Sequence, residues 1–190
     1  VKALEKDNLL VKRTLNGDTD AFSELVSIYQ GRLYNFILKM SKSREDAEEI
    51  VQEVFIKIYN NLYKYNEKYC FSTWAYTIAL NTFKSEYKKK KRHLHKEINE
   101  GLTYRETEES PEEIVMYKEN IDEMQTFLNT LSIENKAILV LKYVDDLSYK
   151  EIGEIFKISP EAAKMKIYRA KQTICKKYGS AEKRGVTNEV

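Results

Sequence analysis

Residues 148–171 read Ser-Tyr-Lys-Glu-Ile-Gly-Glu-Ile-Phe-Lys-Ile-Ser-Pro-Glu-Ala-Ala-Lys-Met-Lys-Ile-Tyr-Arg-Ala-Lys. Ser148 and Glu151 have the S-x-x-E spacing of a capping box, which opens a helix. Ile152, Ile155 and Phe156 give that helix one apolar face, and Gly153 leaves room for a close neighbour. Lys157-Ile158 makes a turn. Ser159 is a capping residue for a second helix, and Pro160 suits a first turn, where an amide donor is not needed. Ala163, Ile167, Ala170 and Ile174 follow at steps of four, three and four. Lys164, Lys166, Arg169 and Lys171 fall outside that stripe, with Tyr168 among them. A cationic helix held by a partner helix is the arrangement that enters a DNA major groove. An ordinary helical hairpin with a solvated lysine face has the same pattern, so the rest of the chain has to decide.

At 190 residues the chain suits one large domain or two small ones. With 2 Pro, 6 Gly and 33% charged residues it favours an all-helical protein over a turn-rich sheet protein. There is no apolar run long enough for a transmembrane span, and residues 1–12 lack the apolar core of a signal peptide. No direct membrane insertion is expected. Cys70 and Cys175 lie far apart in sequence and read as two reduced thiols of a cytoplasmic protein. The net charge of +2 conceals segregation: residues 1–92 carry +5, residues 93–118 carry −4, and residues 119–190 carry +1. A basic block, an acidic connector and a mixed block point to two domains joined by a linker.

Apolar residues from Phe22 to Met40 recur at helical spacing, as one long helix or two with a break near Gly31. Ser43 to Asp46 is a second capping signature. It opens a helix expected to bury Ala47, Ile50, Val51, Val54, Phe55, Ile58, Tyr59 and Leu62. The other face of that helix gathers Glu45, Asp46, Glu48, Glu49, Gln52 and Glu53. Acidic residues near a helix start are favoured by the macrodipole alone. That accounts less well for Gln52 and Glu53, and the face suits a basic partner. A loop from Tyr63 to Phe71 follows, holding Tyr63, Tyr65, Tyr69 and Phe71. Ser72 or Thr73 is expected to cap a third helix reaching about Arg92, in which Thr77, Asn81, Lys84 and Lys88 share a stripe. The run Lys88 to Arg92 can neutralise phosphates, and nearby aromatics can stack on unpaired bases. Solvated lysines and an aromatic core cluster explain the same residues.

The pattern marks no active site and no need for a cofactor. His93 and His95 face apart on a helix and have no carboxylate or cysteine cluster beside them. From His93 to about Met116 periodicity fades among glutamates, which reads as a flexible acidic linker. Helical pattern resumes at Ile121, Met124, Phe127 and Leu128. A short apolar helix then spans Asn135 to Val144, and the tail after Tyr178 is polar.

Three segments together resemble one family. Residues 46–57 (DAEEIVQEVFIK) resemble the core-polymerase-binding helix of bacterial sigma factors. Residues 71–81 (FSTWAYTIALN) are similar to their helix that reads and melts the minus-10 element. Residues 147–159 with 164–171 are similar to their minus-35-reading helix-turn-helix. Order and length match the extracytoplasmic-function group. The resemblance implies an all-α protein of two small helical domains: sigma domain 2 over 1–92, a linker over 93–118, sigma domain 4 over 119–178, and a tail over 179–190. It implies that Asp46, Glu49, Gln52, Glu53 and Phe55 meet core RNA polymerase. Phe71, Ser72, Thr73, Trp74, Thr77 and Asn81 would hold the opened minus-10 strand, and Lys84 and Lys88 its phosphates. Lys164, Met165, Lys166, Tyr168, Arg169 and Lys171 would lie at the minus-35 groove of promoter DNA. It also implies an anti-sigma factor as partner, membrane-anchored in many cases. Two positions depart from the family. Residues 161–166 replace its Gly-Thr-Val-Lys-Ser-Arg, which changes the available base contacts. Leu80 replaces a common Arg, which is expected to remove a strand contact. The expected function is that of an alternative sigma factor, without catalysis of its own. The rival is a stand-alone helix-turn-helix repressor, which would leave the aromatic loop and the second basic helix without a role.

Overall fold

The computed structural model describes residues 2–41, 43–99 and 131–185, with side chains placed for 4–41, 43–93 and 131–176. Among the described residues the secondary structure is all helical. Helices α1 (Lys2–Leu15), α2 (Thr19–Met40) and α3 (Arg44–Asn61) lead through a 3₁₀ turn (Leu62–Lys64) to α4 (Phe71–Asn99). The second group is α5 (Ile133–Tyr143), α6 (Tyr149–Phe156) and α7 (Pro160–Gly185).

Local chemistry sets most of these boundaries. Asp18 caps α2, accepting the Ala21 amide through Oδ1 at 3.1 Å. Ser43 caps α3 by accepting the Asp46 amide at 3.1 Å. Each such cap is worth about 0.5–2 kcal/mol. Gly31 sits inside a continuous α2 with open space around it, so no break forms there. α4 begins at Phe71, and neither Ser72 nor Thr73 caps it as expected. The Thr73 hydroxyl instead donates to the Cys70 carbonyl at 2.8 Å.

α4 also runs beyond the expected end at Arg92 to Asn99, into the segment read as linker. Residues 93–99 contain no Gly or Pro, so nothing in them stops a helix. α7 likewise continues past Tyr178 to Gly185. The rest of the expected linker, and the helical pattern around Ile121 to Leu128, lie outside the described residues.

Helix α1 was not foreseen. It buries Leu10 and Val11, together with Asp7. Asp7 accepts the Tyr29 hydroxyl at 2.5 Å, and burial raises its carboxyl pKa. Burying that carboxylate is tolerable because it is hydrogen-bonded.

The side chains buried by the two helical groups form one continuous cluster, running from Leu25, Leu33 and Phe36 through Phe71 to Ile138, Leu141 and Ile152. α2 packs on α5, and α4 packs on α6. The helix-turn-helix therefore rests against the helix expected to read minus-10.

Candidate nucleic-acid interface

The carboxy-terminal group forms the expected helix-turn-helix. The Glu151 amide donates to Ser148 Oγ at 3.2 Å, and Glu151 Oε2 accepts the Ser148 amide at 2.8 Å, completing the capping box. Lys157 takes a left-handed conformation at φ 55°, and the Ile158 amide returns to the Gly153 carbonyl at 2.9 Å. Gly153 is needed for a more local reason than helix crossing. A Cβ there would lie 2.7 Å from the Ile158 carbonyl oxygen, inside the turn itself. Ser159 Oγ then accepts the Ala162 amide at 3.2 Å and starts α7.

On α7, Ala163, Ile167 and Ala170 are buried. Lys164, Met165, Tyr168, Arg169 and Lys171 are exposed together on the outer side, as expected for a groove-reading helix. Lys166 is half-buried. Its Nζ lies 2.7 Å from Glu134 Oε2, and 5.2 Å from the centre of the Phe156 ring.

The minus-10 set divides. Phe71 is fully buried, packed on Tyr29, Tyr65 and Trp74 with ring centres 5.1, 5.5 and 5.7 Å away. Thr73 is buried as well. These two cannot touch a DNA strand; they hold the start of α4 in place. Position 80 also faces the core, since Leu80 is buried, so the Leu80 departure takes nothing from the outer stripe. Ser72, Trp74 and Thr77 are half-buried, whereas Asn81 and Lys88 are exposed. The Thr77 hydroxyl is engaged with the Thr73 carbonyl at 2.8 Å. Lys84 is half-buried and pairs with Glu134 at 3.0 Å.

Trp74 and Asn81 line a 360 Å³ cleft between α3 and α4, with Lys57, Asn61, Lys64, Ile78 and Thr82. Sequence reading missed Lys57, Asn61, Lys64 and Thr82 as site residues. Their signal was available: Lys57, Asn61 and Lys64 recur at steps of four and three, a polar stripe at the end of an otherwise well-read helix. Lys57 Nζ reaches Glu53 at 3.2 Å and Thr82 Oγ1 at 3.4 Å, while Lys64 Nζ donates to Asn61 Oδ1 at 2.9 Å. An indole edge, two carboxamides and two ammonium groups can stack on a base, hydrogen-bond its edge and meet its phosphate. Tyr63 and Tyr69 are exposed beside this region, whereas Tyr65 is tied to Asn8 and to the Tyr69 carbonyl.

On α3, Glu49 and Gln52 are exposed, Glu53 is half-buried through its pair with Lys57, and Phe55 packs partly against the core. Asp46 is half-buried and ion-paired with Lys90. Tyr59, expected in the core, is instead exposed with its ring edge-on to Phe22 at 4.9 Å, and Ile56 is exposed on the same helix, adding apolar surface to the acidic one. Cys70 and Cys175 are both free thiols. Among the described residues no group of three or more His, Cys, Asp or Glu is placed to hold a metal. None of the described helices is long and apolar enough to cross a membrane.

Comparison with known proteins finds two family models on the chain. The Sigma-70 region 2 family model matches residues 25–93, and the Sigma-70 region 4 model matches residues 121–174. The ECF RNA polymerase sigma factor SigW of Bacillus subtilis is 35% identical over 174 residues, which cover 87% of this chain and 93% of SigW. The RNA polymerase sigma-H factor of Pseudomonas aeruginosa is 29% identical over 180 residues, covering 90% of this chain and 93% of the relative. Among solved structures, CnrH in complex with the cytosolic domain of CnrY has a similar fold (TM-score 0.69, 18% identity, 92% of this chain and 98% of that one). The sigma factor RpoE of Bartonella quintana, solved in complex with the anti-sigma factor NepR, aligns with a TM-score of 0.64 at 20% identity, over 80% of this chain and 93% of that one.

Proposed function

The chain belongs to the extracytoplasmic-function group of RNA polymerase sigma factors and directs promoter-specific transcription initiation; we propose that three of its surfaces divide that task. The α3 face bearing Glu49, Gln52 and Glu53, with Asp46 at its edge and Phe55 behind it, docks core RNA polymerase. The α4 stripe and its cleft capture the opened minus-10 strand: Trp74 stacks, Asn81 reads a base edge, and Lys88 meets phosphate. The outer side of α7, led by Lys164, Arg169 and Lys171, lies in the minus-35 major groove.

The observation that carries this reading is the contrast in shape between the two DNA surfaces. The α4 surface has a cleft with carboxamides and an indole, suited to a base removed from its stack. The α7 surface is a convex row of cations and one tyrosine, suited to a closed duplex. A stand-alone repressor has no use for the first.

On this reading, residues 1–92 and 119–178 are the working sigma domains, joined by the segment 93–118. The chain acts in the cytoplasm, where core polymerase is, and contributes recognition without catalysis. Sigma factors are non-enzymatic regulators. An anti-sigma factor fits as a further partner, because the structurally similar CnrH and RpoE were solved bound to CnrY and NepR.

Reconstitution with core polymerase is the test. The purified chain binds promoter duplex weakly and gains sequence specificity when core is added. Reversing charge at Glu49 and Glu53 together weakens core binding, while unfolding stability falls by about 1 kcal/mol or less, because Glu49 is exposed and Glu53 loses only its pair with Lys57. Unchanged core affinity in that double variant would show the acidic face to be merely solvated.

A further inference from the structure

Helix α1 lies before residue 25, where the Sigma-70 region 2 model begins, and the functional reading above gives it no task. It packs on α2, on the 3₁₀ turn and on α4. Three of its polar side chains converge on the segment that leads into α4. Asn8 makes two contacts there: its Oδ1 accepts the Tyr65 hydroxyl at 2.9 Å, and its Nδ2 donates to the Glu67 carbonyl at 3.4 Å. Lys12 Nζ lies 3.0 Å from the Glu67 carboxylate. Asp7 accepts the Tyr29 hydroxyl, and the Tyr29 ring packs on Phe71, the first residue of α4.

Tyr65 carries this connection to the cleft. Its hydroxyl shares one proton between Asn8 Oδ1 and the Tyr69 carbonyl, which is 2.7 Å away. Its ring centre lies 5.5 Å from that of Phe71 and 5.5 Å from that of Trp74. Trp74 lines the cleft. The indole therefore rests on a ring whose far end is tied to α1. The same hydroxyl holds the backbone at Tyr69, whose own side chain is exposed beside the cleft. Burial, with the Asp7 carboxylate second, raises the Tyr65 hydroxyl pKa above its usual 10, so the donor is present throughout the physiological range.

Holding α1 on the body does not require these bonds, since buried Leu10 and Val11 already do that. Packed rings can slide over one another, whereas a hydrogen bond has a direction. A stacking recess works only when its wall is fixed to within about 0.5 Å. The Tyr65 hydroxyl supplies that fixing, and Asn8 is its anchor.

We propose that α1 is a brace for strand capture: Asn8, acting through Tyr65, sets the Trp74 indole and the backbone at Tyr69, and so decides how sharply the α4 cleft discriminates among unpaired bases. Asn8 and Tyr65 are positioning residues that act through Trp74. This rests on the assignment of the α4 cleft to the opened minus-10 strand.

Trp74 is the single tryptophan of the chain, so its emission reports on the wall of the cleft. In the full chain, Asn8→Ala and Tyr65→Phe each shift that emission. The double variant shifts it by less than the sum of the two, because both changes cut the same link. Tyr65→Phe keeps the ring packing, so it reads the link even if Asn8→Ala folds poorly. Reconstituted holoenzyme then selects from two pools, randomised single-stranded DNA and randomised duplex DNA. Each single variant lowers sequence enrichment from the single-stranded pool by about two- to ten-fold, the worth of one hydrogen bond. Selection from the duplex pool, which α7 reads, stays at the wild-type level. A merely structural role for α1 costs active protein and lowers both selections alike, which overturns the proposal. Trp74 shifts that add in full overturn it too. Wild-type holoenzyme that selects nothing from the single-stranded pool breaks the assignment of α4, and the proposal falls with it. A wild type that selects, beside variants that select equally well, breaks the proposal alone.

Discussion

The two DNA-facing helices are built on opposite plans. α7 is held by a narrow buried stripe, Ala163, Ile167 and Ala170, and leaves most of its surface outside. α4 is held by Phe71, Ala75, Tyr76, Ala79, Leu80 and Phe83, and keeps only a narrow stripe for work. A closed duplex requires a slender rod that fits a groove. An unstacked base requires a rigid wall with a recess, and rigidity comes from packing most of the helix into the core. The same residue type therefore has different meanings on the two: an aromatic on α7, such as Tyr168, is a surface contact, while Phe71 on α4 is structure.

Phe71→Ala breaks this comparison most severely. Removing a fully buried phenyl ring costs about 3–5 kcal/mol, read by urea or thermal unfolding. Asn81→Ala, on the exposed stripe of the same helix, stays within about 0.5 kcal/mol. Should the two cost the same, α4 is not divided into a structural face and a working stripe.

Gly153→Ala tests the other plan with a smaller effect. Its new methyl meets the Ile158 carbonyl at 2.7 Å, and overpacking of this kind costs about 1–3 kcal/mol. Minus-35 binding falls as the turn shifts, while single-strand binding by the α4 cleft is retained. Full stability and full duplex binding in this variant would show that the turn has slack.

The smallest effect is a pH dependence of the packing between the two helical groups, and it sharpens the junction between the two plans. Asp145 faces Tyr76 from α4 and Arg32 from α2, and burial raises its pKa from 3.8 to about 6. One of its oxygens is buried without a partner. Its raised value means that this packing gains as pH falls through about 6, and loses that gain as pH rises. Glu134, facing Lys84 and Lys166, has a pKa lowered from 4.5 to about 2. Its contribution is present above 4.5 and fades as pH falls below it. The packing of the two helical groups therefore strengthens as pH falls through about 6, peaks between pH 3.8 and 4.5, and weakens below. Asp145→Asn flattens the upper arm and Glu134→Gln the lower. A monotonic profile of thermal unfolding through this range would remove one of the two groups from the junction.

How much of this was legible depended on range. The helix-turn-helix was readable because its signals are local: Ser148 with Glu151, Gly153, and Ser159 with Pro160 each act within a few residues. The acidic face of α3 was readable for the same reason. Phe71 was ambiguous because an aromatic beside a basic helix has one sequence signature and two uses, and its burial against Tyr29, from α2, favours the structural one. Helix α1 escaped notice because its buried set is small and includes a carboxylate, Asp7, whose partner Tyr29 is 22 residues away. The end of α4 was set short because a run of lysines resembles a boundary in composition, though it contains no stop signal; that of α7 was set short because a polar tail opening on Gly179 resembles a helix end, yet the helix runs through it to Gly185. Glu134 could not be found at all from sequence: its partners are 50 and 32 residues distant, and a glutamate in the first turn of a helix already has a sufficient local explanation.

Transcription by reconstituted holoenzyme, on a normal promoter and on one pre-melted across minus-10, tests the division of labour most directly. Asn81→Ala and Arg169→Ala both lower transcription on the normal template, each by an amount corresponding to roughly 1–3 kcal/mol for a lost base contact. Pre-melting restores Asn81→Ala, whose defect is in capturing the opened strand, and leaves Arg169→Ala impaired. Rescue of Arg169→Ala without rescue of Asn81→Ala would contradict the account and exchange the roles of the two helices.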